Sequence, residues 1–164
     1  MSRFATAARA LRGPFKKLVH KLELRARRVV IKVSRKAAGR HADTVKHAEA
    51  AFKAARADAA RLRTELVKPP TATSAAVDRT TGRVVGIGHS KHATAIPAEL
   101  MAKLPDPPLE KRWEVTNCGE VEAAANAMAA ASRFEDLVIR TVRTESGVEF
   151  EPCLNCDSWL PGRD

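Results

Sequence analysis

The chain has 164 residues, with 29 Lys or Arg against 19 Asp or Glu, a formal net charge of +10, and a hydrophobic fraction of 45% that excludes wholesale disorder. Aromatic residues make up only 4%, with no Tyr, which argues against an aromatic platform for stacking single-stranded bases. No stretch approaches the roughly 18 apolar residues of a membrane span, since even Val29-Val30-Ile31 lies between Arg28 and Lys32.

The first residues carry Arg3, Arg9 and Arg12 without a continuous apolar stretch, so no signal peptide is evident and a cytoplasmic setting is expected. Charge then divides the chain: residues 1–68 hold 19 basic and 5 acidic side chains, and the remaining 96 hold 10 and 14. In the basic part Leu11, Phe15, Leu18, Leu22 and Val29 recur at helical spacings, and Gly39 is available to stop that helix. From Val45, the residues Ala48, Phe52, Ala55, Ala59, Leu62 and Leu66 follow in alternating steps of three and four, the a/d seam of a heptad pattern. Residues 1–70 are therefore expected to form a basic α-helical hairpin or coiled coil, with residues 45–66 available for self-association. Cations outside the seam, from Lys16 to Lys36, suit salt-dependent, sequence-blind contact with nucleic-acid phosphates. A partner-docking or solvated helix face and an interfacial helix on anionic lipid share this composition. His20, His41 and His47 have no Cys nearby and read as surface histidines.

Lys68-Pro69-Pro70-Thr71-Ala72-Thr73-Ser74 removes two backbone donors and is otherwise small or polar, which predicts a linker and a domain boundary near residue 70. Ala75 to Asp78 and Arg83 to Ile87 flank Arg79-Thr80-Thr81-Gly82 as a β-hairpin would. Pro97 suits the opening of a short helix to Lys103, with a turn at Pro105 to Pro108. The Ala-rich run Val121 to Ala131 predicts a buried helix whose stripe of Ala124, Ala127 or Met128, and Ala131 lies close on a sheet. Leu137 to Val142 reads as an interior strand, Glu145-Ser146-Gly147 as a turn, and Pro152-Cys153 as the start of a second short helix ending before Pro161.

All three cysteines, Cys118, Cys153 and Cys156, fall in the acidic half, and an odd count does not close a disulfide framework. Each piece has an ordinary reading: Asn117 and Glu120 as a capping box, Cys118 as a core residue, Cys153-x-x-Cys156 as a redox pair. Together they are more specific, because Cys-x-Glu at one helix start followed by Pro-Cys-x-x-Cys at another is the zinc deaminase pattern, with Cys where His is commoner. Residues three apart on a first helical turn point the same way, so Cys153 and Cys156 can hold one ion. Three thiolates leave the fourth position of a tetrahedral Zn²⁺ open for water. A structural site would need a fourth ligand, for which His89 and His92 are the candidates; that arrangement leaves Cys118 and Glu120 without a role.

Trp113, then Asn117-Cys118-Gly119-Glu120-Val121, a small-residue helix, a strand and Pro152-Cys153-Leu154-Asn155-Cys156 resemble the YwqJ-type deaminases of bacterial polymorphic toxin systems, members of the cytidine deaminase-like superfamily. The resemblance covers about residues 74–160. It implies an αβα sandwich, Cys118, Cys153 and Cys156 as zinc ligands, and Glu120 as proton shuttle. The superfamily sheet gains two further strands after the Cys-x-x-Cys helix, whereas this chain continues for only eight residues beyond Cys156. The expected fold is thus a small α/β deaminase-like sandwich over residues 71–164, its sheet truncated to three strands, covered at its edge by the basic helices or completed by a partner. The expected activity is zinc-dependent hydrolytic deamination of a nucleobase, cytosine in nucleic acid or nucleotide foremost, in a toxin delivered to a target-cell cytoplasm and met by an immunity or adaptor protein. Asn117 and His89 are the expected substrate contacts. The alternative is a non-catalytic, zinc-stabilised nucleic-acid-binding module, which has no need of a carboxylate two residues after a ligand.

Overall fold

The structure, a computed structural model, describes residues 43–91, 95–110 and 114–161. The first helix of the expected hairpin with its cations from Lys16 to Lys36, together with His20, His41, His92 and Trp113, lies outside the described residues. A helix over residues 43–65 (α1) leads into β1 (Ala72–Asp78) and β2 (Val84–His89). Then come the short helix α2 (Ala98–Met101), the main helix α3 (Gly119–Ala129), β3 (Leu137–Arg143) and one turn of helix, α4 (Leu154–Asp157). The strands form one sheet in the order β2-β1-β3, with β1 antiparallel to both neighbours. Helices cover both faces, so the fold is a small αβα sandwich on a three-stranded sheet. No helix among the described residues is long and apolar enough to cross a membrane.

The face toward α3 is built on an absence of side chains. Gly86 and Gly88 lie beneath the helix: a Cβ on Gly86 would stand 2.2 Å from the Ala123 carbonyl oxygen, and one on Gly88 would stand 2.2 Å from that of Gly119 and 2.3 Å from the Ala123 nitrogen. Ala123, Ala124 and Ala127 complete the contact, each fully buried. The helix thereby lies backbone against backbone on the sheet, and the larger side chains Leu100, Val115, Leu137, Ile139, Phe134 and Trp159 fill the space beside it. Ala131 is exposed and outside the expected stripe. The helix stops at Ala129 because Ala131 turns to φ 64°, with Ser132 N–H bonding back to the Ala127 carbonyl and Ala131 N–H to that of Met128, a Schellman closure.

On the opposite face α1 lays Ala51, Ala55 and Ala59, all fully buried, and Leu62 toward the sheet, where Ala55 and Ala59 meet Ala75 and Val142. The seam read as a hairpin or coiled-coil contact is thus used on this chain's own sheet, and its ends, Val45 and Leu66, stay exposed. The compact unit accordingly begins at Asp43, ahead of the boundary expected near residue 70. Among the described residues, α1 covers a face of the sheet; the first of the two expected helices lies outside them.

Two further expectations change for physical reasons. The sequence predicts a linker as far as Ser74, but β1 starts at Ala72 and is buried along its whole length. Thr73 and Ser74 lie in the interior because each hydroxyl has a partner, Thr144 at 2.9 Å and Thr141 at 2.8 Å. The strand read as interior, β3, is the sheet's edge, and the central strand is β1. The apolar run of β3 reflects cover on its two faces and not strand neighbours on both sides.

Two outcomes test this packing. Gly88→Ala has to lift α3 off the sheet, since the atoms in its way are backbone, and should lower unfolding stability by about 2–3 kcal/mol in denaturant titration. At the β1–β2 turn, Asp78 accepts the Thr80 hydroxyl at 2.6 Å and the N–H groups of Thr80 and Thr81 at 2.8 and 3.0 Å, which hold its pKa down to about 2 from 3.8. A depressed pKa stabilises the fold above the ordinary value and ceases to do so as pH falls through the folded one. Asp78→Ala should therefore cost about 1–3 kcal/mol at pH 7, and the gap to wild type should close as the pH is lowered from about 4 to about 2.

Candidate metal centre

The Sγ atoms of Cys118, Cys153 and Cys156 lie within 4.8 Å of one another, a cluster able to hold a metal ion. Two helix starts bring them together. Cys118 is the N-cap of α3 and Cys153 the N-cap of α4, with extended backbone at both (ψ 136° and 163°), and Cys156 follows one turn along α4. Cys118 and Cys153 are half-buried and Cys156 is fully buried. The 3.7 Å between the Cys118 and Cys153 sulfurs is far wider than the ~2.05 Å of a disulfide and close to the ~3.8 Å separating two thiolates on one tetrahedral ion with ~2.3 Å bonds. Three soft donors at this spacing fit Zn²⁺, and among the described residues no histidine joins the group.

The thiols share protons unequally. Cys153 is drawn well below the ordinary thiol range by hydrogen bonds from Cys118 and Cys156, reinforced by the backbone N–H groups of Cys156 and Asn155. Cys118 and Cys156 are pushed up, first through those same contacts and then by burial, with the negative charge of Glu120 adding to both. A bound dication would remove the inequality, because a coordinating thiol is deprotonated.

Glu120 stands beside the cluster and not in it. Its Oε2 lies 3.7 Å from Cys156 Sγ, and its Oε1 accepts the Thr141 hydroxyl at 2.9 Å. The residue is 6% exposed, and burial pushes its pKa up against the opposing hydrogen bonds. The capping-box reading does not describe it, since the N-cap is Cys118 and no side chain caps α3. Asn117 is exposed in the 3₁₀ turn Val115–Asn117, one residue ahead of Cys118.

His89 is placed elsewhere. Gly88 faces α3, so its neighbour faces α1, where His89 Nε2 lies 2.7 Å from Asp58 Oδ2; its backbone N–H donates to Glu122 Oε2 at 2.8 Å. The pair fastens α1 to the sheet. Burial alone would raise Asp58, but the hydrogen bonds from His89 and Arg61 outweigh it and hold that carboxyl below its ordinary range.

Three residues that the motifs did not single out shape the site. Thr141 and Ser74 are direct cross-strand partners under Glu120; the signal for Thr141 is a hydroxyl in a strand that is apolar but for its two arginines. Asn155, within the Cys-x-x-Cys run and fully buried, accepts Glu110 N–H at 2.9 Å and donates to the Glu110 carbonyl at 3.3 Å. Glu110 in turn accepts the Leu154 N–H at 3.2 Å, so loop and ligating helix grip each other.

Elemental analysis of the purified chain should find one Zn²⁺, lost when Cys118, Cys153 or Cys156 becomes Ala, with reduced stability because metal binding and folding are coupled. Full zinc in Cys118→Ala would rule out the three-thiolate site. Comparison with protein-family models, with curated proteins and with solved structures finds no match, so the reading of the site stands on these residues.

Proposed function

We propose that this chain is a zinc-dependent hydrolytic deaminase of a nucleobase, with cytosine in a nucleic acid or nucleotide as the foremost substrate. The observation that carries the proposal is Glu120, a buried carboxylate fixed against the thiol cluster yet outside it. A structural zinc site gives such a group nothing to do, and burying it without use is costly. Cys118, Cys153 and Cys156 would hold Zn²⁺, which would supply Lewis acidity to make a water a stronger acid and a better nucleophile.

Glu120 then takes the water proton as the oxygen bonds to the ring carbon that carries the exocyclic amine. It passes that proton to the ring nitrogen, then takes the second from the newly attached hydroxyl and gives it to the departing amine; the carbon–nitrogen bond breaks, ammonia leaves and a carbonyl remains. Burial raises its proton affinity, which suits a group that must both accept and return a proton. Asn117, exposed just ahead of Cys118, is the side chain this reading sets against the substrate, and His89, turned to α1, is not. A toxin's delivery and an immunity or adaptor partner follow from the family resemblance alone.

The test is to incubate the purified protein with C- and A-containing oligonucleotides and nucleosides and to follow ammonia and base conversion. Glu120→Gln should retain zinc and fold while losing activity by about 10² to 10⁴ or more, the worth of general acid and base help. Activity within about tenfold of wild type, with zinc present, would return the site to a binding module.

A further inference from the structure

The carboxylate of Glu120 is held by the sheet as well as by its own helix. Thr141 Oγ1 donates to Glu120 Oε1, and Ser74 Oγ lies 2.8 Å from Thr141 Oγ1. All three residues are buried, at 0% exposed for Ser74, 4% for Thr141 and 6% for Glu120. A hydroxyl has a single proton to give. Toward an ionised carboxylate Thr141 must donate it, so Ser74 has to be the donor in the other contact and the chain runs one way, from Ser74 through Thr141 to Glu120. Gly119 fixes the helix side of this arrangement: a Cβ there would stand 2.9 Å from Ser74 Oγ, so the first turn of α3 rests on that hydroxyl.

A carboxylate next to three thiolates is itself a competent zinc ligand. Whether it acts as a ligand or as a proton acceptor depends on what restrains it. We propose that the Ser74–Thr141 hydroxyl pair is the positioning device of this site, holding Glu120 Oε1 against the sheet so that the carboxylate does not turn to close the metal's fourth position. This rests on the reading of Glu120 as proton acceptor and extends it to two residues on β1 and β3 that belong to neither cysteine motif. Supporting residues outside the ligand set commonly set ligand orientation in this way.

The experiment uses the full chain loaded with Co²⁺ for its visible ligand-field absorption, and with Zn²⁺ for activity. Thr141→Val removes the hydroxyl at nearly constant volume. It should still bind one ion per chain, but with shifted Co²⁺ bands, and kcat should fall about 10- to 100-fold with KM little changed. Thr141→Ser should restore both spectrum and kcat. In a Glu120→Gln background Thr141→Val should leave the spectrum unmoved, because no carboxylate is then released. Should Thr141→Val not fold, Thr141→Ala carries the same comparison with the crowding removed. A wild-type spectrum and wild-type kcat in the folded hydroxyl-free variant, or a Thr141→Ser variant no better than it, would overturn the proposal. If the wild type deaminates no nucleobase, the functional reading falls, and the cobalt comparison still decides the role of the hydroxyl pair.

Discussion

The contact between the backbone of α3 and the backbone of β2 is the constraint on which the rest of the structure depends. With Gly86 and Gly88 beneath it and Gly119 at its start, the helix has no side-chain layer to slide on, and its height and register over the sheet are fixed by atoms that cannot rotate away. Because the contact at Gly88 involves Gly119 itself, the fixed point lies between Cys118 and Glu120. The thiol at the N-cap and the carboxylate two residues on are therefore placed by the sheet, with Ser74 and Thr141 at the one register position where they can receive Glu120.

The other face follows a looser rule. Its stripe of Ala51, Ala55 and Ala59 leaves α1 close to the sheet, and polar ties at several points along its length hold it there. Asp58 bonds His89 on β2, while Arg56 and Arg63 donate to the carbonyls of Gly147 and Thr144 beyond β3. Phe52 sits at the margin with the guanidinium carbons of Arg56 and Arg140 5.6 and 5.9 Å from its ring centre. The arginines of α1 suit a structural layer because carbonyls, carboxylates and an aromatic face are at hand for them.

What could be read from sequence was whatever depends on neighbours a few residues away. The thiol pair on α4, the placement of Cys118 at a helix start and the hairpin turning at Gly82 are local matters of helical and turn geometry, and each lies where the spacing placed it. The misplaced features depend on partners far along the chain, 67 and 71 residues away for the two hydroxyls of β1. Ser74 looks like linker until its hydroxyl finds Thr141, and Thr73 until it finds Thr144. The heptad seam of α1 specifies an apolar stripe but not what covers it, and the apolar run of β3 specifies covered faces but not its rank in the sheet. The alternating glycines of Val-Val-Gly-Ile-Gly-His carry a long-range signal in the sequence: on a strand, two glycines spaced by one residue mark a face that another backbone approaches.

The mutual grip of Asn155 and Glu110 bears on how the metal would be received. A helix of one turn has no stability of its own in water, since nucleation is unfavourable and no propagation follows. Were α4 free, an arriving ion would have to order Leu154 to Asp157 as well as bind two of its sulfurs, and its affinity would be lowered by that entropy. The three hydrogen bonds to Glu110 transfer the ordering to the folding of the domain. The chelate is then preorganised before any metal arrives, and Glu110 becomes, in mechanical effect, part of the ligand.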